Sequence, residues 1–488
     1  MKNFSRSLVW LSVAEIIYNL SGYIVHSATG RILGPEAYGR YGLVITLTTM
    51  VIVLIGNGIP TTMSKYLSAA FEKNPGSIFS IRLSALKIQA LLMGAVTLLF
   101  FLCAPIIAWT LHDESLTPLL RLSALVIPTF AAASFNLYFF IGLHFFRLQA
   151  ILKIIRSLGR VVFIVVLAYL FGVEGAISGN ILAPFVVFLV GFFLEEMLIR
   201  KYLPEAHNQK DQTSFPYQTL IQYAWPLTLF LLFYECILTF DLYFVKALLH
   251  SDYLTGIYNA AITVGRIPYY LFYALAILIL PAIAKTTADN NTEETEKLVN
   301  KSLRLMVLLL FPLVTLLVLY APQILHLFYG SKYNAAATPM NIYAIGVGFL
   351  TVFYVLAFAL NGAGQVKIPM KLTLFGCLAM IGLNFFLIPR FELIGAALAT
   401  TLTCFALMIS ILVYIERHFK VRLSFDTIML SIVGVGIMIF LCPFLPAGLI
   451  TFIFSGALLF VIYFVCLFFS GELTSEDLAP FKKLIHKN

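Results

Sequence analysis

Arg266 is a basic residue inside a long apolar stretch, and polar residues recur around it at helical spacing. Steps of four, three, four and three residues place these polar side chains on one helical face: Asn259, Thr263, Arg266, Tyr270 and Tyr273. A guanidinium group can bind a diphosphate through paired, parallel hydrogen bonds. The face is therefore predicted to line a wet, substrate-binding cavity. The alternative is that Arg266 only pairs with an acidic residue and stiffens the fold.

A second polar stripe lies near the N-terminus. Glu15, Asn19, Gly22 and His26 follow one another at spacings of four, three and four, and the stripe leads up to Arg31. This spacing predicts one helical face that serves as a cavity wall, with His26 and Arg31 as further substrate-binding residues. Glu15 is a candidate for binding a coupling cation or for pairing with an arginine across the cavity. A structural ion pair inside the first half of the chain is the alternative.

Two carboxylates lie six residues apart in a later apolar stretch, so they point in different directions and cannot form one carboxylate pair. Glu235 is the second candidate for ion coupling. Asp241 is interpreted as structural, either paired with Lys246 or capping the mouth of the cavity.

The densest basic run in the sequence contains His144, Arg147, Lys153, Arg156 and Arg160. We interpret most of it as a topology signal, because basic residues collect on the cytoplasmic side of membrane proteins. Lipid head groups and other phosphate anions would also be drawn to it.

Enzymatic motifs are absent from the sequence. It has no G-x-S-x-G, H-E-x-x-H, Walker or dinucleotide-binding pattern. Its six cysteines stand singly in apolar segments, without metal-ligand spacing. The sequence therefore predicts neither catalysis, nor a cofactor, nor a metal site.

Composition determines the setting of these residues. The chain is 61% hydrophobic and 11% charged, with a mean hydropathy of +0.95, which is typical of an integral membrane protein. The alternating pattern of barrel strands is missing, so the spans are predicted to be helices. An ionisable residue in such a span costs about a few kcal/mol to insert and is a functional candidate by default. The net charge of +9 resides in short connections, which argues against a nucleic-acid partner.

We predict an all-α protein of about fourteen transmembrane spans, with boundaries at roughly 7–29, 41–68, 80–110, 118–143, 149–171, 175–200, 217–247, 254–284, 299–328, 337–361, 367–388, 394–416, 424–445 and 448–470. With a cytoplasmic N-terminus, 25 of the 32 Lys and Arg residues fall on the inner side and five on the outer side. This bias predicts that both termini are cytoplasmic.

The first twelve spans form an internal repeat. Gly39 and Tyr41 match Gly256 and Tyr258 at a separation of 217 residues, and other pairs follow the same offset. Two six-helix bundles related by a pseudo-two-fold axis along the membrane normal are expected, as in transporters that work by alternating access. The predicted division is an N-lobe (1–203), a linker (204–214), a C-lobe (215–420), and spans 13 and 14 with a cytoplasmic tail (421–488).

The stretches GRILGPEAYGRYGLV and GNGIPTTMSKYLS, followed by FDLYFVKALLHSDYLTGIYNAAITVGRIPYYLFYALAILILPAIAK, resemble the oligosaccharide (O-antigen and polysaccharide) flippases. Their superfamily also contains lipid II flippases and multidrug extruders. The resemblance implies transport of a polyprenyl-diphosphate-linked oligosaccharide from the cytoplasmic to the outer leaflet of the cell membrane, for cell-surface polysaccharide biosynthesis. The partners that it implies are this lipid-linked substrate, membrane lipids, and glycan polymerase or other glycan-assembly proteins.

A multidrug extruder of the same superfamily, coupled to Na⁺ or H⁺, is the alternative function. Its cationic cargo needs an acidic or apolar cavity, whereas a diphosphate needs basic groups. Arg266 and Arg31 favour the flippase, while Glu15 and Glu235 are compatible with the extruder.

Spans 13 and 14 stand outside the repeat. Residues 424–470 contain no Lys or Arg, and Asp426 is their only charged residue. We predict that these two spans form an apolar groove for a polyprenyl tail against the second lobe. The alternative is that they only pad the lobe or form a dimer contact.

Overall fold

The computed structural model describes residues 2–56, 58–73, 75–202, 216–272, 292–419 and 425–472, together with residues 279, 283, 286 and 287. Helices make up nearly all of this described part, which contains no strand, and the predicted all-α class is confirmed. The α-helices are α1 (Lys2–Gly56), α2 (Gly58–Lys73), α3 (Ile78–Thr110), α4 (Leu116–Ser123), α5 (Val126–Gly142), α6 (Phe146–Tyr202), α7 (Tyr217–Leu249), α8 (Asp252–Gly265), α9 (Thr292–Leu319), α10 (Ala321–Tyr329), α11 (Ala337–Gly362), α12 (Lys367–Phe419), α13 (Phe425–Leu441) and α14 (Thr451–Phe469).

The three longest helices are each broken by one residue with positive φ: Gly34 at 76°, Gly172 at 63° and Glu392 at 49°. Glycine adopts positive φ with little steric cost, whereas glutamate does so rarely. The breaks fall in the connections predicted between spans 1 and 2, spans 5 and 6, and spans 11 and 12. Helix α1 therefore combines predicted span 1 with the first part of span 2, while α6 and α12 each contain two predicted spans in full.

Nine helical stretches among the described residues are long and apolar enough to cross a membrane. The count becomes ten if the bent pair Val13–Val53 and Gly58–Phe71 is taken as one span. Large apolar side chains also cover the outside of the helices, as Leu91 and Trp109 do on α3. A lipid environment accommodates such a surface, whereas water does not. A multi-pass membrane protein is confirmed, and the count of fourteen spans stays a prediction.

The chain forms two compact units. Unit 1 comprises residues 1–260 and 373–396, and unit 2 comprises residues 261–372 and 397–488. The division predicted from the internal repeat, with its linker at 204–214, stays a prediction.

The core of unit 1 is built from α2, α3, α5 and α6. Met63, Phe139 and Leu152 are fully buried in it. Arg82 of α3 forms an ion pair with the buried Glu195 of α6. Since burying a charge is tolerated only when it is paired, this contact lets both helices carry charge inside the bundle.

In unit 2, α9, α10, α13 and α14 share an apolar cluster. Its fully buried members include Met438 and Leu459, and Tyr320 packs on the ring of Phe452 with the centroids 5.7 Å apart. This cluster joins the two C-terminal helices to the helices that precede them in the same unit.

Candidate functional site

Arg266 occupies a turn between the end of α8 and the helical residues 267–272. Its Nε donates a hydrogen bond to the hydroxyl oxygen of Tyr343 on α11, at 3.0 Å. Tyr343 is fully buried, and a Cβ on Gly265 would lie 2.7 Å from its ring. The glycine thus lets α8 approach the tyrosine that orients Arg266. Sequence reasoning missed Tyr343, because no local pattern links positions 77 residues apart.

The other predicted residues near Arg266 have different surroundings. Asn259 is buried in unit 1, where a Cβ on Gly42 would lie 1.9 Å from its Nδ2 atom. Thr263 is half-buried and Tyr270 is 37% exposed, both in unit 2. Tyr273 lies outside the described residues. A common substrate-binding face for these residues stays a prediction.

The polar stripe of α1 faces α6 within unit 1. Glu15 forms an ion pair with Lys153, which corresponds to the alternative of a pair inside the first half of the chain. A Cβ on Gly22 would lie 3.3 Å from a terminal nitrogen of Arg160. Further along the stripe, Nδ1 of His26 lies 3.0 Å from the hydroxyl oxygen of Tyr38. The ion-coupling role of Glu15 stays a prediction, as does the substrate contact predicted for His26 and for the exposed Arg31.

Three basic residues of α6 surround one tyrosine of α1. Lys153 Nζ lies 5.1 Å from the centroid of the Tyr18 ring, and the guanidinium carbons of Arg156 and Arg160 lie at 5.6 and 5.1 Å. Arg156 also lies over the ring of Phe130 of α5, at 3.9 Å. We call these five residues the Tyr18 cluster.

Sequence reasoning interpreted the basic residues of α6 mainly as a topology signal. The spacing of Lys153, Arg156 and Arg160, three and then four residues, places them on one helical face. That periodicity was the signal available in the sequence. Each cation–π contact is worth about 0.5 to 2 kcal/mol, depending on how dry the site is.

Four charged residues from separate turns meet in unit 1. Nζ of Lys246 lies 2.7 Å from Oδ2 of Asp113 and also pairs with Asp252, and Nε of Arg40 lies 2.5 Å from Oδ2 of Asp252. We call Arg40, Asp113, Lys246 and Asp252 the turn cluster. Burial raises the pKa of Asp113, but hydrogen bonds from Lys246 and Ser115 outweigh it and hold that pKa below its usual value.

Two glycines related by the internal repeat contact each other beside the turn cluster. A Cβ on Gly39 would lie 2.8 Å from the backbone nitrogen of Gly256, and a Cβ on Gly256 would lie 1.8 Å from the carbonyl oxygen of Pro35. Neither position leaves room for a side chain. The part of α1 that follows the break at Gly34 and the start of α8 therefore pack backbone against backbone, next to the turn cluster.

The two carboxylates of α7 differ in setting. Asp241 is fully buried and accepts a hydrogen bond from the hydroxyl of Tyr258 at 2.8 Å. Lys246, which the sequence offered as its partner, instead pairs in the turn cluster. Glu235 is half-buried, and its ion-coupling role stays a prediction. No group of three or more His, Cys, Asp or Glu side chains in the described part of the chain is placed to hold a metal ion.

Unit 2 contains an apolar cavity of about 420 Å³. It is lined by α9, α10 and α14 together with Ile267, and its lining includes Leu313, Leu317, Tyr320, Phe452, Gly456 and Phe460. Of the described residues that line it, none belongs to α13. The cavity therefore involves only one of the two C-terminal helices predicted to form a groove.

Two family models match the chain. The model described as polysaccharide biosynthesis protein matches residues 4–287, and the model MatE matches residues 226–386.

Curated relatives cover most of the chain at low identity. The capsular polysaccharide biosynthesis protein CapF of Staphylococcus aureus is 22% identical over 439 residues, which is 86% of this chain and 100% of CapF. Stage V sporulation protein B of Bacillus subtilis (strain 168) is 24% identical over 432 residues, or 82% of this chain and 80% of that protein. The lipid II flippase MurJ of the same organism is 22% identical over 472 residues, or 88% of this chain and 85% of MurJ.

Solved structures share the fold. The lipid II flippase MurJ in an inward closed conformation aligns with a TM-score of 0.77 at 15% identity, covering 98% of this chain and 100% of that one. An inward-facing multidrug resistance MATE family transporter aligns with a TM-score of 0.73 at 14% identity, covering 85% of this chain and 98% of that one. At these identities the likeness shows the fold alone, which is the predicted two-bundle transporter fold.

Proposed function

Because the chain belongs to the polysaccharide biosynthesis protein family, we propose that it flips a polyprenyl-diphosphate-linked oligosaccharide from the cytoplasmic to the outer leaflet. It is a multi-pass membrane transporter and not an enzyme. Similarity to a capsular polysaccharide biosynthesis protein and to a lipid II flippase, each over most of the chain, favours a lipid-linked glycan as the substrate. Cell-surface polysaccharide biosynthesis is the process that such transport serves.

Arg266 is the observation that carries this proposal. It lies at the end of an apolar helix and donates a hydrogen bond to the buried hydroxyl of Tyr343. The hydroxyl oxygen of Tyr343 accepts this bond, so the contact orients the guanidinium. An oriented cation in a membrane helix suits a diphosphate group. The other residues proposed to contact the substrate are the sequence-predicted set Arg31, Asn259, Thr263, Tyr270 and His26.

The cavity of unit 2 is proposed to hold part of the polyprenyl tail. Its lining is almost entirely apolar, so hydrocarbon gains from entering it while a sugar or a diphosphate does not. Gly456 lies on its wall, where the absence of a side chain widens the space next to Tyr320. A tail held here keeps to hydrocarbon while the head group crosses by another route.

The turn cluster is proposed to close one side of the transporter. Alternating access requires contacts that form on one side and break when that side opens. Ion pairs among Arg40, Asp113, Lys246 and Asp252 are of this kind, because water can replace them when the turns separate. Glu15 and Glu235 stay the candidates for coupling this movement to an ion.

An ion-coupled multidrug extruder is the second candidate, favoured by the MatE match at residues 226–386. Its cationic cargo would be repelled by Arg266 and by the basic residues of the Tyr18 cluster. Among the described residues, Glu15 is the carboxylate that contacts the cluster, and it is already paired with Lys153. These charges favour an anionic substrate.

Reconstitution in liposomes tests the proposal. The purified protein should move a fluorescent polyprenyl-diphosphate oligosaccharide between leaflets, as measured by the fraction of probe open to a membrane-impermeant quencher. The same liposomes, loaded with a fluorescent organic cation and given a Na⁺ or H⁺ gradient, test the extruder. Cation efflux without lipid movement would contradict the flippase and establish the second candidate.

Localisation in the cell membrane with both termini cytoplasmic is part of the proposal, supported by the 25 to 5 distribution of basic residues. We also propose contact with a glycan polymerase or another glycan-assembly protein, because the family is one of polysaccharide biosynthesis. Accessibility of tags at the two termini to a protease added to sealed inside-out vesicles tests the orientation. Protection of either tag would overturn it.

A further inference from the structure

We propose that the Tyr18 cluster is a second binding site for the diphosphate group, inside unit 1 and separate from Arg266. The proposal rests on the proposed function, since it takes a lipid-linked diphosphate to be the substrate. It assigns Arg156 and Arg160 as the groups that bind the two phosphates, with Lys153 beside them.

Burial without a carboxylate partner is the first observation. Arg156 is only 6% exposed, and its Nε has no hydrogen-bond partner among the described residues. The Nε of Arg160 is likewise buried without such a partner. A buried cation is normally paired with an anion or neutralised by hydrogen bonds. In the described part of the chain, Glu15 is the only carboxylate that contacts the cluster, and it pairs with Lys153.

The position along α6 is the second observation. From the start of the helix at Phe146, a rise of about 1.5 Å per residue places Arg156 and Arg160 about 15 and 21 Å along it, well before the break at Gly172. They therefore lie several turns further along the helix than Arg147, which stands next to its first residue. A topology signal requires basic residues only at the ends.

The cluster is open to solvent on one side. Gly22 of α1 lets the guanidinium of Arg160 pack closely on α1, because a Cβ there would lie 3.3 Å from a terminal nitrogen of Arg160. Lys153 and Arg160 are partly exposed, whereas Arg156 lies behind them against the rings of Tyr18 and Phe130. An anion that enters can thus reach Arg160 first and Arg156 after it.

The charges match the proposed ligand. Three cations and the carboxylate of Glu15 leave two positive charges at the cluster. A diphosphate esterified at both ends, as in a lipid-linked sugar, carries one ionised oxygen on each phosphorus and hence two negative charges. A phospholipid head group with one phosphodiester supplies only half of this charge. Two guanidinium groups one helical turn apart also present two separate forks, one for each phosphate.

Ligand-dependent thermal stabilisation tests the site without relying on transport. The probe is a short-chain prenyl-diphosphate sugar added to the intact protein in detergent, and the variants are Arg156→Gln and Arg160→Gln. The matched control is Arg147→Gln, on the same helix but exposed and stacked on Trp10. We expect each cluster variant to raise the Kd of the probe at least about tenfold, equivalent to about 1.4 kcal/mol, and the control to leave it unchanged.

Each outcome of this experiment decides the question. If wild-type protein binds and flips the lipid and both cluster variants bind the probe as tightly as wild type, the site is overturned while the proposed function stands. Equal competition by phosphatidylglycerol would show a general lipid-phosphate site and also overturn the proposal. Should a Gln variant fail to fold, Arg160→Lys replaces it, and unchanged binding in a folded Lys variant would count against the two-fork arrangement. Failure of wild type to flip the lipid would instead contradict the proposed function.

Discussion

At the scale of single residues, two tyrosines contact arginines in different ways. The hydroxyl of Tyr343 accepts a hydrogen bond from Arg266 and so sets the direction of that guanidinium. Tyr18 presents its ring to Lys153, Arg156 and Arg160 and lowers the cost of holding three cations together. The hydrogen bond from Arg266 to Tyr343 orients one charge, whereas the ring of Tyr18 stabilises several neighbouring charges.

Replacing Arg266 by alanine is expected to abolish flipping while membrane insertion and expression remain normal, because the lost group is proposed to bind the substrate and is not part of an apolar core. Arg266→Lys should retain partial activity, since lysine keeps the charge but lacks the two-pronged geometry. Tyr343→Phe should lower the rate several-fold, as expected for one hydrogen bond worth about 1 kcal/mol. The measurement is the initial rate of lipid movement in liposomes, normalised to reconstituted protein. Full activity of the alanine variant would remove Arg266 from the site.

At the scale of elements, the start of α8 and the part of α1 just after its break meet through Gly256 and Gly39, which leave no space for a side chain. A Cβ on Gly256 would lie 1.8 Å from the backbone oxygen of Pro35, which cannot move aside as a flexible side chain would. We therefore expect Gly256→Ala to lose most transport activity and to lower the melting temperature. Gly94→Ala is the control, because a Cβ there meets nothing within 4 Å and alanine favours the helix by about 1 kcal/mol. Similar behaviour of the two variants would show that the turns need not pack closely.

The turn cluster should make stability depend on pH. Lys246 and Ser115 hold the pKa of Asp113 below its unfolded value, so its contribution is complete above that value, about 3.9. It is lost as the pH falls through the lower pKa of the folded state. Asp113→Asn should therefore reduce the melting temperature at pH 7, and its difference from wild type should shrink towards pH 3.

The control for this pH dependence is Glu293→Gln, which removes one partner of an exposed ion pair with Lys297 on a single helix. Pairs of this kind contribute little to stability. Its melting temperature should therefore follow wild type at every pH. A difference between Asp113→Asn and wild type that stays constant from pH 7 to pH 3 would show that the carboxylate charge is not what stabilises the turns.

The sequence predicted the elements better than their contacts. The predicted span boundaries left connections at Gly34 and Gly172, and the 217-residue offset matched Gly39 with Gly256. The sequence did not predict that the two glycines touch, because equivalent positions in a repeat can lie at any distance from each other. The pairing of Glu15 with Lys153 joins positions 138 residues apart, and it depends on how α1 packs on α6. For the same reason the basic run of α6 was interpreted as topology, although its spacing already placed it on one face.

At the scale of the whole molecule, transport of a lipid-linked glycan sets opposite requirements for the two ends of the substrate. The head group needs basic residues, a role proposed for Arg266, whereas the polyprenyl tail must remain in hydrocarbon throughout. The apolar cavity of unit 2, with Gly456 on its wall, is suited to the tail only. The two requirements can therefore be tested separately by changing the tail and leaving the head group constant.

Filling the cavity should slow transport only when the lipid carries a long tail. A Cβ on Gly456 would lie 3.7 Å from side-chain carbons of Leu316 and of Tyr320, which is an ordinary contact distance. Gly456→Phe would therefore occupy space without displacing backbone. We expect this variant to flip a long-chain polyprenyl-diphosphate glycan at least several-fold more slowly than wild type. A short-chain analogue with the same head group should move at the wild-type rate.

Gly436→Phe is the matched control, because Gly436 lies on α13, where a Cβ meets nothing within 4 Å, and does not line the cavity. This variant should flip the long-chain and the short-chain lipid at the wild-type rates. If Gly456→Phe slows the short-chain and long-chain lipids equally, the change acts on the movement of the helices and not on the tail. If it slows neither, the tail travels along a different surface, and the cavity has no part in transport.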